Sequence, residues 1–310
     1  MAGVLLLCGG TACFIASQEN PSHSGLAGEQ YNCNICHAGH GVSATPMLNQ
    51  KFIDLCYYCH SSDNHPPALK TKKPMDRSHF NRGVSVRNSL TIANAPLPDI
   101  RFAFSKRFRH PIETESFHQF NEFLLEIPNL PRHSSCLDCH NPHLASKEKS
   151  YAGVVGFDLN GYIVMDSPKE SFVCYKCHSE YGNKPLQQKD ILSLFQIINP
   201  SFHPVENQGK NSFVPSLLFP YDTTSIITCS DCHNNDEASP RGPHGSIYPF
   251  ILEKNYTPAN GIFENERTYA MCYKCHSRIS ILNNESFPEH HRHIVGNKIS
   301  CISCHDAHGS

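Results

Sequence analysis

Tryptophan is missing from this chain, and methionine is scarce, with five in 310 residues. Apolar side chains make up only 39%, against about 45–50% with Gly included in an ordinary globular domain. Side chains alone would build a thin core, so something else must supply apolar volume. Neither sign of charge is in excess: the formal net charge of −2 gives no case for nucleic acid or an anionic membrane as the main partner. After the first 16 residues, no apolar run approaches the ~20 residues that a membrane helix needs.

Cysteine and histidine are what the chain has in excess, with 16 and 21 residues. Fourteen of the cysteines fall in one pattern, C-x-x-C-H, which occurs seven times. The motifs are Cys33/Cys36/His37, Cys56/Cys59/His60, Cys136/Cys139/His140, Cys174/Cys177/His178, Cys229/Cys232/His233, Cys272/Cys275/His276 and Cys301/Cys304/His305. Two cysteines three apart present their sulfurs on one side of a short turn, matching the two vinyl groups of a haem. The histidine that follows then faces the iron as its proximal ligand. Zinc would need four ligands from paired motifs and no histidine after every second cysteine. A disulfide framework would leave seven adjacent histidines unexplained, and a thioredoxin-like site would bring a βαβ pattern that is not seen here. The expectation is seven covalently bound c-type haems, one per ~44 residues, whose macrocycles form the missing core.

Setting aside the seven proximal histidines leaves 14, twice the number needed to fill every sixth iron position. Methionine is too rare to compete, so bis-histidine ligation is expected throughout. Such ligation gives low potentials and leaves no open iron site. No motif has Lys in the fifth place, so none advertises a catalytic haem. The expectation is electron transfer with no catalytic residues and no enzymatic activity.

The motifs are of two kinds that alternate. His110-Pro111 and His203-Pro204 each stand 26 residues before the first cysteine of a first-type motif, Cys136 and Cys229. Second-type motifs share a Tyr after the first cysteine (Tyr57, Tyr175, Tyr273) and a Ser after the histidine (Ser61, Ser179, Ser277). Between the two kinds sits a further histidine: His40, His143 or His244. Units therefore run over about 23–60, 110–178 and 203–276, with a half unit at 290–308. This arrangement resembles the doubled-CXXCH multihaem cytochromes over most of the chain after residue 30. The resemblance implies haems packed in successive stacked and perpendicular pairs.

The repeat suggests distal ligands. His110 and His203 are assigned to the haems of His140 and His233. His40, His143 and His244 are assigned to those of His60, His178 and His276. His23 is chosen for the first haem, with His65 and His79 competing. His293 is chosen for the last over His290 and His291, because Ile294-Val295 follows it. His308 is left over, either idle or a ligand offered to a neighbouring copy.

Residues 1–16 read as the apolar part of a secretion signal, without the expected basic start. Cys8 and Cys13 lie in that segment. Lipidation at Cys13, the one membrane contact considered, is an alternative to simple cleavage. Residues 17–310 are read as one multihaem domain, mostly irregular and loop-rich, with short α-helices and a few small β-hairpins wrapped around the haems. Residues 117–125 carry Phe and Leu at helical spacing. Asn160-Gly161 marks a β-hairpin between 154 and 164. The functional expectation is a subunit of an extracellular cytochrome filament, whose partners are further copies joined head to tail and other redox proteins. A discrete periplasmic or surface-anchored carrier is the alternative. A reductase of a small nitrogen or sulfur compound stands behind both, for want of a motif that would mark its active haem.

Overall fold

The computed structural model describes residues 36–37, 47–48, 51–62, 98–112, 134–182, 188–237 and 239–310. The N-terminal segment with Cys8 and Cys13, together with His23, Cys33, His40, His65, His79 and the 117–125 segment, lies outside these residues.

Regular structure is sparse and follows the motifs. Helix α1 (Phe52–Cys59) carries a second-type motif, α2 (Ile100–Phe104) follows it, and α3 (Cys136–Cys139) is a single turn formed by a first-type motif. Helix α4 (Glu170–His178) carries the next second-type motif, and the short α5 (Ile191–Leu194) packs against it. Motif turns at Cys229–Asp231, Cys272–Lys274 and Cys301–Ser303 are 3-10, and α6 (Arg278–Leu282) closes the helical set. Strands are two residues long: β1 (Phe108–Arg109), β2 (Gly156–Phe157), β3 (Ile163–Val164) and β4 (Gly245–Ser246). The loop-rich, short-element fold expected from the sequence is what is found. No helix among the described residues is long and apolar enough to cross a membrane.

The β2–β3 hairpin pairs Gly156 with Val164 and Phe157 with Ile163. The Asp158 carboxylate accepts from the amides of Asn160 (2.8 Å) and Tyr162 (2.9 Å). Gly161 adopts φ +80°, a backbone state open to glycine at no steric cost. The Asn-Gly signal thus lies in the turn.

A different contact matters more for the site. β1 pairs antiparallel with β4, Phe108 opposite Ser246 and Arg109 opposite Gly245. An equivalent bridge joins Phe202 to Gly309, flanked by reciprocal backbone bonds between Ser201 and Ser310. In both places the backbone leading into an upstream histidine lies against the backbone leaving a histidine of the next unit. The approach is so close that a Cβ on Gly245 would meet the Ala103 carbonyl, and one on Gly309 the Leu194 carbonyl. Buried Lys106 reinforces the first contact by donating to Asn235 (2.5 Å) and Asp236 (2.8 Å).

Buried apolar side chains among the described residues are few. Five of them, Phe157, Tyr175, Leu192, Phe195 and Val205, form a cluster. Tyr175 donates to Glu206 (2.9 Å), whose fully buried carboxylate also pairs with Lys169 (2.9 Å).

Candidate functional site

Each described motif is one tight turn. The histidine amide donates to the carbonyl of the first cysteine at His60 (3.0 Å), His140 (2.9 Å), His233 (2.8 Å), His276 (3.0 Å) and His305 (2.9 Å). In two of the first-type motifs a side chain locks the start of the turn. Asp138 accepts the Ser135 amide (2.6 Å), and Asp231 accepts the Thr228 amide (2.8 Å), both completing capping boxes. Lysines of the following second-type motifs reach back to the same residues. Lys176 donates to the Asp138 carbonyl (2.5 Å) and Lys274 to the Asp231 carbonyl (2.6 Å).

Ring hydrogen bonds fix tautomers. The Nδ1 atoms of His140, His233 and His110 face the carbonyls of Ser150 (2.9 Å), Phe250 (2.7 Å) and Pro243 (2.7 Å). A carbonyl can only accept, so Nδ1 carries the proton and the Nε2 lone pair is left for a metal. The Ala307 carbonyl acts on the His203 ring in the same sense, favouring a proton on it, although burial outweighs this and holds its pKa below the ordinary value. Burial first, then neighbouring imidazoles, pushes His178, His276 and His308 down to about 4 and His244 to about 3. All four rings are therefore neutral, the form that binds metal.

Six pairs of imidazole rings lie within a narrow range of separation. They are His37–His143 (6.0 Å), His110–His178 (6.4 Å), His140–His244 (6.1 Å), His203–His276 (6.4 Å), His233–His308 (6.0 Å) and His290–His305 (6.3 Å). Every pair joins one motif histidine to one histidine from outside the motifs. Metal–imidazole bonds of about 2.0–2.1 Å on either side of one ion would put the ring centroids ~6.3 Å apart. The donor set thus fits axial ligation of an iron between each pair.

The partners are not those the repeat suggested. His110 and His203 face His178 and His276, not His140 and His233. His143 and His244 face His37 and His140, not His178 and His276. The antiparallel contacts described above carry His244 and His308 back to the preceding unit, a shift that spacing along the chain does not encode. His308 is not left over: it faces His233, tied by the His203 amide donating to its carbonyl (3.0 Å). At the last motif His290 faces His305. The chosen His293 instead lies 6.1 Å from the Phe287 ring, within the π-turn Arg292–Gly296. His23 and His40, expected to serve His37 and His60, lie outside the described residues.

The cysteines fall into an ordered series. The thiols of Cys56 and Cys136, Cys174 and Cys229, and Cys272 and Cys301 lie close enough to act on one another. Second cysteines lie near enough to act electrostatically on one another at Cys36 and Cys59, Cys139 and Cys177, and Cys232 and Cys275. Each motif therefore neighbours the one before and the one after it in the sequence. Every described cysteine and histidine of the motifs lines one continuous cavity of about 3820 Å³, several times the ~300–1,000 Å³ of a single-ligand pocket. Glu170 beside Cys174 and Cys229 could suggest a separate metal site. Its carboxylate is already engaged by the amide and hydroxyl of Ser230, both at 2.7 Å.

A family model described as the doubled CXXCH motif matches residues 23–65 and 220–280. No curated protein and no solved structure matches the chain.

Proposed function

We propose, from the premise that the doubled motif makes this chain a multihaem c-type cytochrome, that it holds seven bis-histidine haems in sequence order and conducts electrons along them. The observation that carries this reading is the set of six ring pairs, each one motif histidine and one other, lining a single cavity. Haem iron, when bound, supplies a reversible one-electron couple at each position.

The chain's residues do the rest. Paired cysteines anchor each macrocycle by thioethers, and the motif histidine holds the iron from one side. His143, His244, His110, His308, His203 and His290 close the other side for His37, His140, His178, His233, His276 and His305. By sequence analogy with His110 and His203, His23 is the residue proposed for the iron of His60. An iron held between two such histidines would leave no open position for a substrate, which supports conduction over catalysis. The alternating cysteine contacts support a row without branches, with haem planes wrapped by loops and few side chains between them.

A register in which each unit completes the one before is one that a further copy can continue. We extend the reading to a subunit of an extracellular filament, supported by this register and by the export-like residues 1–16. His308 gives that extension no support, since it serves its own chain. Intact mass of the haem-loaded protein under denaturing conditions tests the count, with ligation read from the low-spin spectrum. Seven attached haems with all-imidazole spectra are expected. Fewer haems, or a methionine–iron band, would overturn the reading.

A further inference from the structure

We propose that the two motif types build two electronically distinct kinds of iron site that alternate along the row, and that Phe104, Phe195, Gly245 and Gly309 are the positioning residues that set them. The proposal rests on the bis-histidine reading above.

The observation is the angle between paired rings. At the first-type motifs the planes are close to parallel: 11° for His37–His143, 23° for His140–His244 and 1° for His233–His308. At the second-type motifs they are crossed: 66° for His110–His178 and 74° for His203–His276. The closing pair His290–His305 lies between, at 49°. The split follows motif type in five of these six pairs, and the first-type pair His290–His305 is the exception.

Two different devices hold the non-motif rings. His244 meets the edge of Phe104 at 5.4 Å and 75°, and His308 meets the edge of Phe195 at 5.6 Å and 87°. Among the described residues the Nδ1 of His244 has no hydrogen-bond partner, so the aromatic edge is what orients that ring. His110 is instead clamped through its Nδ1–H to the carbonyl of Pro243, and the Ala307 carbonyl acts on the His203 ring in the same sense. Those carbonyls belong to the residues just before His244 and His308. One peptide thus joins the distal ligands of neighbouring irons: it carries a ring of the parallel kind and accepts from a ring of the crossed kind. The glycine after each, Gly245 and Gly309, lets the backbones approach closely enough for this to happen.

Ring planes decide how the iron d orbitals split. Parallel imidazoles donate into the same orbital and separate the π-type pair, which gives a rhombic low-spin ferric EPR signal. Crossed imidazoles leave that pair nearly degenerate, which gives a broad signal of large anisotropy. Outer-shell contacts of this kind tune a haem without changing its ligands.

The test is low-temperature EPR of the oxidised, haem-loaded full chain, with optical spectra recorded in parallel. Wild type is expected to show both signal classes, with at least three rhombic and two large-anisotropy sites. Phe104→Leu should alter one rhombic site out of three while the optical spectrum remains low-spin. Gly245→Ala should shift one site of each class together, because it displaces the peptide shared by His110 and His244. Should Gly245→Ala fail to fold, Phe104→Leu decides. A single class across all low-spin sites, or a rhombic set unmoved by Phe104→Leu, would overturn this proposal and leave bis-histidine ligation standing. Loss of low-spin imidazole signals from the wild type would instead overturn the ligation itself.

Discussion

The rings of His233 and His308 stand 6.0 Å apart and within 1° of parallel, although 75 positions separate them in the chain. The bridge between Phe202 and Gly309 fixes this relationship by pinning the last residues against the backbone that leads into His203. The His308 ring is thereby held against His233 of the same chain.

His308→Ala should open one iron position per chain. One carbon monoxide bound per protein, with the remaining sites low-spin, is the expected titration. Absence of binding would mean that another group closes the His233 iron.

Lys274 donates to the Asp231 carbonyl (2.6 Å) and the Glu253 carboxylate (2.8 Å), and its charge acts on both Cys232 and Cys275. A cation there favours the reduced state of the two haems those cysteines anchor. Lys274→Met should lower both potentials by about 40 mV, the equivalent of ~1 kcal/mol of screened interaction. Potentiometric titration against wild type reads the change, and two unmoved potentials would contradict it.

Glu264 is nearly buried and takes both arms of Arg278, at 2.7 and 2.6 Å, plus the Tyr273 hydroxyl at 3.0 Å. Burial pushes its carboxyl up, but these donors outweigh burial and hold it below the ordinary value of 4.5. A depressed carboxylate contributes stability that is fully present above that ordinary value and lost as pH falls through the folded one. Glu264→Gln should therefore cost about 1–2 kcal/mol at neutral pH, allowing for the partly exposed Arg278. The difference from wild type should close as the pH drops below 4.5. Denaturant unfolding across that range measures it, and a gap that persists in acid would contradict the assignment.

Much of the candidate site was legible because it is local. C-x-x-C-H is a single turn, so the motifs needed no tertiary knowledge. The Asn160-Gly161 hairpin and the alternation of motif types were likewise readable from neighbouring residues. The pairing of histidine rings was not, because it depends on short antiparallel contacts such as Arg109 with Gly245. Two-residue strands carry no periodic signal. A hint lay in the shared His-Gly-Ser of 244–246 and 308–310, where glycine marks a close backbone approach. Spacing left His290, His291 and His293 open, and the apolar Ile294-Val295 argued for His293. The structure instead sets His290 over Ser286 (3.2 Å) and against His305.

A structure of the haem-loaded protein by electron cryomicroscopy tests the central claim most directly. The account expects seven irons in sequence order, with His244 on the His140 iron, His110 on the His178 iron and His308 on the His233 iron. Irons out of sequence order, or His110 bonded to the iron of His140, would contradict it.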